Sequence, residues 1–86
     1  MGEWVNERTN SAMHITVRLF LSLRSGRFHT KAVEYPTSIT VAQVAGDLAI
    51  PDDTIGLVLV NDRQAEFEHQ LVDGDTVALF PIVGGG

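Results

Sequence analysis

The sequence predicts an α+β fold in which one helix packs across one face of a mixed, four- to five-stranded sheet. Three observations predict it. HITVRLFLSL (14–23) alternates apolar and polar residues, the period of a half-buried strand. Val41, Val44, Ala45 and Leu48 fall at i, i+3, i+4 and i+7, one apolar stripe of a helix. LVLV (57–60) and TVALF (76–80) then supply further β-rich runs. A lone helix among strands has only the sheet against which to bury its stripe, so the two layers must cover each other.

Taken in order, the first strand places Ile15, Val17, Leu19, Leu21 and Leu23 on one face and Thr16, Arg18 and Ser22 on the other. Arg24-Ser25-Gly26-Arg27 has turn chemistry, and residues 29–35 return as a second strand with Val33 and Tyr35 inward. Pro36-Thr37-Ser38 breaks the pattern. Thr40 followed three residues later by Gln43 has the form of a capping box, so the helix begins there. It ends before Pro51, because proline disfavours helical geometry in the residue preceding it. Gly46 inside it costs about 1 kcal/mol relative to alanine.

Leu57–Val60 forms a third strand, apolar on both faces and closed by Asn61-Asp62. Residues 62–72 predict a short strand and an irregular turn with Phe67 and Leu71 tucked in. Asp73-Gly74-Asp75 is a tight turn, and residues 76–80 form the last strand with Val77 and Leu79 on one face. This order is that of the β-grasp, or ubiquitin-like, roll. The expected organisation is a flexible lead-in over 1–12, the domain over 13–83 and a flexible glycine tail over 84–86.

Composition narrows the function. An 86-residue chain has room for one core. No apolar run approaches the roughly 20 residues of a membrane span, and the opening MGEWVNERTNSA lacks the apolar region of a secretory signal, so a cytoplasmic protein is expected. A net charge of −5 with six Lys and Arg disfavours nucleic acid and anionic membrane. The absence of cysteine removes disulfides, a thiolate nucleophile and cysteine metal sites. His14, His29 and His69 lack metal-ligand spacing, which predicts surface or strand residues and no metal. Asp52-Asp53 and the Asp73/Asp75 pair read as turn and cap residues. Gly84 to Gly86 precede no helix and so form no phosphate loop.

Two features point to chemistry. Phe20 is in phase with Arg18, and Phe80 with Thr76 and Ala78, on the face away from the helix. If the first and last strands are neighbours, the two rings lie side by side on the outer surface. One pair of the doubly apolar strand, Leu57 and Leu59 or Val58 and Val60, must join them. Such a patch on a small acidic domain points to a partner site; the alternative is that a loop, the lead-in or a second copy of the chain covers it. Beyond it runs Pro81-Ile82-Val83 and then Gly84, Gly85 and Gly86. A tail of this kind has a minimal cross-section, and six residues beyond Phe80 reach about 20 Å when extended. Ordering the glycines costs about 1 to 2 kcal/mol each. Burying the two phenylalanines and a leucine, at about 1.5 to 3 kcal/mol apiece, offsets that. The only reactive group on such a tail is its carboxylate. It is ionised at neutral pH and must be activated before a nucleophile can attack it.

Over about residues 13–86 the chain resembles the ubiquitin-like sulfur carriers of the MoaD/ThiS type, with the small subunit of molybdopterin synthase the nearer form. The resemblance rests on HITVRLFLSL, TVAQVAGDL, LVLVN and above all the ending LVDGDTVALFPIVGGG. It implies a non-catalytic carrier. On this resemblance Gly86 would be adenylated by a ubiquitin-activating-type enzyme that uses ATP, and then converted to a thiocarboxylate that donates sulfur in molybdopterin biosynthesis. It also implies no bound cofactor and two partners: the adenylating enzyme, and the large synthase subunit or another sulfur-accepting enzyme. Gly86 and Gly85 would be the reacting end, Gly84 and Val83 the thread, and Phe20, Phe80, Leu57, Leu59 and Pro81 the docking patch. Two departures are visible: a third glycine where the family usually has two, and Phe-Pro-Ile-Val in place of a doubled proline. A thiamine-pathway carrier, a protein modifier that forms isopeptide bonds and a non-covalent module remain as alternatives.

Overall fold

The computed structural model describes residues 13–36 and 38–82. Strand β1 (Met13–Leu19) pairs antiparallel with β2 (Thr30–Tyr35), placing Ile15 opposite Val33 and Met13 opposite Tyr35. β3 (Ile39–Thr40) leads into α1 (Val41–Asp47). After it come β4 (Ile55–Val60), β5 (Arg63–Gln64), β6 (Gln70–Leu71) and β7 (Thr76–Pro81). The main sheet runs β2-β1-β7-β4-β5, and β3 pairs with β6 separately. The β1–β7 pair is parallel, and its neighbours in the sheet are antiparallel. One helix on a mixed five-stranded sheet is the β-grasp roll that the hydrophobic phases predict.

The core forms where the inward residues of β1 and β7, namely Ile15, Val17, Leu19, Val77 and Leu79, meet Val41, Val44 and Ala45 of α1. All eight side chains have 0% exposure. Leu48 packs against this core from its edge. Thr40 caps α1 in a full capping box: its hydroxyl accepts from the Gln43 N–H at 3.2 Å, and the Gln43 side chain accepts from the Thr40 N–H at 2.8 Å. The other end of α1 is a Schellman closure, in which Ile50 N–H donates to Ala45 O and Ala49 N–H to Gly46 O. Ala49 accordingly takes a left-handed φ of 59°.

The structure corrects several boundaries. β1 stops at Leu19 rather than Leu23, because Leu21 turns left-handed (φ 55°) and opens a 3₁₀ turn over Leu21–Arg24. Leu23 still reaches the core, but Leu21 does not and is 62% exposed. The Arg24 Nε–H holds the turn by donating to Leu19 O at 2.9 Å, and Arg27 bridges it to the helix end through Leu23 O and Ala49 O. β4 begins at Ile55, two residues before the expected start, and β7 extends to Pro81. The stretch 62–72 holds two short strands, with Leu71 at 0% exposure and Phe67 packed against the core. β4 and β5 form a two-residue hairpin at Asn61-Asp62, both at positive φ as a type I′ turn requires.

The Asp73-Gly74-Asp75 turn is more than a surface connection. Asp75 is buried, and its carboxylate accepts from Asn61 Nδ2 at 2.8 Å and from the Val72 N–H at 2.9 Å. Asn61 Oδ1 in turn accepts from the Thr76 N–H. Asp73 accepts from the His14 N–H at 2.7 Å and faces the His14 ring, whose other nitrogen lies 3.1 Å from Glu34. The backbone hydrogen bond from His14, helped by its side chain, lowers the Asp73 pKa. Among the described residues, no buried side-chain polar atom lacks a partner.

Candidate functional site

The outer face of the sheet is built by register. Leu19 sits beside Leu79 in the parallel β1–β7 pair, and the next N–H, that of Phe20, donates to Leu79 O at 3.1 Å. That extra step leaves Phe20 next to Phe80, with ring centroids 4.2 Å apart and planes 10° from parallel. Leu57 is opposite Phe80, and Leu59 is opposite Ala78. Val58 and Val60 point into the core, which settles the alternation of β4 in favour of the leucines on the outer face. Phe20, Phe80, Leu57 and Leu59 are each half-buried.

Two guanidiniums flank the aromatic pair. Arg18 lies 5.3 Å and Arg24 5.6 Å from the centre of the Phe20 ring, within cation–π range. An acidic chain therefore presents an apolar patch with a basic margin on its β1 side. Pro81 is buried at the end of β7, opposite Ile55, and also lines a groove of about 420 Å³ with Leu21, Gly56, Leu57, Phe80 and Ile82. Leu21 and Ile82 project from that groove, at 62% and 59% exposure.

Sequence reasoning places Phe20, Phe80, Leu57 and Leu59 together but misses Leu21, Gly56 and Ile82. Leu21 keeps perfect alternation with Leu19, so only its backbone conformation reveals that it leaves the core. A signal for Gly56 existed in the run Ile55-Gly56-Leu57, since a glycine inside an apolar, strand-like run often marks a bulge or a close backbone approach. Val83, Gly84, Gly85 and Gly86 lie outside the described residues, as does the expected lead-in. The described residues contain no cluster of His, Asp and Glu able to hold a metal, and no helix long and apolar enough to cross a membrane.

One helix packed across a mixed five-stranded sheet of this order defines the class of ubiquitin-like β-grasp proteins, here with a stacked aromatic pair on the outer face of the sheet. The family model described as the ThiS family matches residues 17–86. The chain belongs to the ThiS family of ubiquitin-like sulfur carriers. Among solved structures it is similar to the Haloferax volcanii HVO 2177 protein, at 26% identity over 88% of this chain and 89% of that one, with a TM-score of 0.72. It is also similar to the small archaeal modifier protein 1 of H. volcanii, at 27% identity over 83% and 99% with a TM-score of 0.63. The fold is shared with a chain in the complex of subunits 1 and 2 of the molybdopterin-converting factor from Helicobacter pylori, at 20% identity over 86% and 100% with a TM-score of 0.60. A search of curated protein sequences finds no match.

Proposed function

We propose that this protein is a sulfur carrier whose terminal glycine, Gly86, is adenylated by a partner enzyme and then converted to a thiocarboxylate. Its β-grasp body serves as the handle the partners hold. The observation that supports this reading is the stacked Phe20–Phe80 pair on the outer face of the sheet, next to the end of β7, where a partner could hold the body. In the activating step a terminal carboxylate oxygen attacks the α-phosphorus of ATP, and pyrophosphate leaves. In the second step a hydrosulfide-level sulfur attacks the acyl carbon, and AMP departs with the electrons of the C–O bond. After loss of a proton a thiocarboxylate remains. The protein itself contributes position rather than catalysis, binds no cofactor of its own, and works in the cytoplasm on ATP held by the partner.

Delivery to molybdopterin synthesis is the pathway this reading favours. Support comes from the ending LVDGDTVALFPIVGGG and from the fold shared with a chain of the H. pylori complex. The large synthase subunit would then be the second partner. A protein-modifier role is the second reading, favoured by the similarity to small archaeal modifier protein 1. There a lysine amine replaces sulfur as the nucleophile, and an isopeptide bond forms.

Removing Gly85 and Gly86 should abolish ATP-dependent modification of the protein while leaving its affinity for the partners nearly unchanged, as measured by calorimetry. Undiminished partner activity in the truncated protein would reduce the glycines to an inert end and leave a non-covalent module. A ladder of covalent conjugates in cell extract, lost on the same truncation, would favour the modifier.

A further inference from the structure

The glycine at position 56 sits where β4 and β7 fall out of step. Ile55 pairs with Pro81 and Leu57 with Phe80, so two steps along β4 match one along β7 and Gly56 is the bulged residue. The backbone of the departing chain lies directly on it. A Cβ at position 56 would stand 2.9 Å from Ile82 Cα, 3.0 Å from Pro81 O and 3.1 Å from Ile82 N. These neighbours are all backbone atoms, which cannot rotate aside as a long side chain can. The close approach lets the Ile82 N–H donate to Thr54 O at 3.1 Å, one residue beyond the end of β7. Thr54 is itself held, since its N–H and its hydroxyl both donate to Pro51 O, at 3.0 and 2.7 Å.

The segment that carries the glycines is thus fastened at its root, against β4 and next to Phe80 and Leu57. Bulges re-aim the strands they interrupt, and this one is kept open by the lack of a side chain. We propose that Gly56 is a positioning residue: it lets Ile82 lie down on the β4 bulge, so that the chain leaves the body in one direction, fixed relative to the docking patch. The inference deepens the sulfur-carrier reading and rests on it. Four residues follow Ile82, and drawn out they span about 13 Å. At that distance a swing of about 20° at the root displaces the terminal carboxyl by several ångströms. A partner that receives the body on its aromatic patch and the carboxyl in its active site has one residue fewer to order when Ile82 is already in place.

The test uses the full chain and two variants. Gly56→Ala introduces the clash, whereas Ile82→Gly loosens the root from the other side without one and keeps the test open if the first variant folds poorly. The first readout is amide hydrogen exchange by NMR. The amide of residue 82 should be protected in the parent chain and lose about tenfold in protection in both variants, each rate taken relative to that residue's unfolded-chain rate, with the Val17 and Leu79 amides unchanged. The second is pyrophosphate release with ATP and the adenylating enzyme of the source cell. There Gly56→Ala should lower kcat about tenfold and by a larger factor than it raises KM, whereas loss of docking alone would raise KM with kcat unchanged. Equal protection at residue 82 in parent and variants would overturn the clamp. Lost protection with unchanged kcat would overturn the positioning role. A parent chain that the enzyme does not adenylate would strike out the carrier reading, and with it the positioning role, while the exchange rates would still decide the clamp.

Discussion

Asp75 is a buried carboxylate on which two turns close, taking hydrogen bonds from Asn61 and from the Val72 backbone. Removing it strands Asn61 Nδ2 and the Val72 N–H, and an unsatisfied group of this kind costs about 1 to 3 kcal/mol. Asp75→Ala should therefore lower the melting temperature by roughly 4 to 8 °C per kcal/mol lost, checked by calorimetry. The sequence places this residue in a turn but not in the interior, because its partner Asn61 is 14 positions away and belongs to another hairpin. Tyr35 permits a direct titration, since it is the chain's single tyrosine. Burial first, and then the Asp47 carboxylate that accepts its hydroxyl at 3.1 Å, push the phenol from 10.0 up to about 12. A group raised in the folded state contributes stability that is complete below its unfolded value, and that stability is lost as pH rises through the folded one. Stability should thus fall between about pH 10 and 12. Absorbance at the phenolate band should titrate near the upper value, and Asp47→Asn should bring it down.

At the scale of elements, α1 was readable at its start and not at its end. A capping box is a local pattern, Thr40 and Gln43 three apart, and it forms as the spacing predicts. The Schellman closure puts alanine where glycine is the usual choice, so nothing in the composition marks it. Ala49 at φ 59° bears the steric penalty of a left-handed Cβ. Ala49→Gly should raise stability by up to about 1 kcal/mol, after the added entropy of the unfolded glycine is set against the relief. Thr40→Ala should lower it by about 1 kcal/mol. Urea denaturation of the two variants beside the parent checks both signs. β1 fails to read at its end for a related reason. Leu21 and Leu23 continue the two-residue alternation through a 3₁₀ turn, and a period alone does not distinguish a strand from a turn that returns one leucine to the core.

The sheet order makes the whole molecule a platform with one amphipathic face. That face was legible because phase along each strand and adjacency of first and last strands suffice to bring Phe20 to Phe80. The groove beside it was not, since Leu21 and Gly56 owe their places to a turn conformation and a bulge. Phe80→Asp should weaken docking to the proposed adenylating partner while leaving the melting temperature within a few degrees. Arg18→Glu should slow association and flatten its dependence on salt, because charges at a rim act chiefly on the encounter rate. Surface plasmon resonance at two ionic strengths measures both. Most direct of all is the intact mass of the protein after incubation with the adenylating enzyme, ATP and a sulfur donor. It should increase by the difference between one sulfur and one oxygen atom, with the change confined to the C-terminal peptide. An unaltered mass, under conditions where the enzyme activates another carrier, would contradict the proposed chemistry.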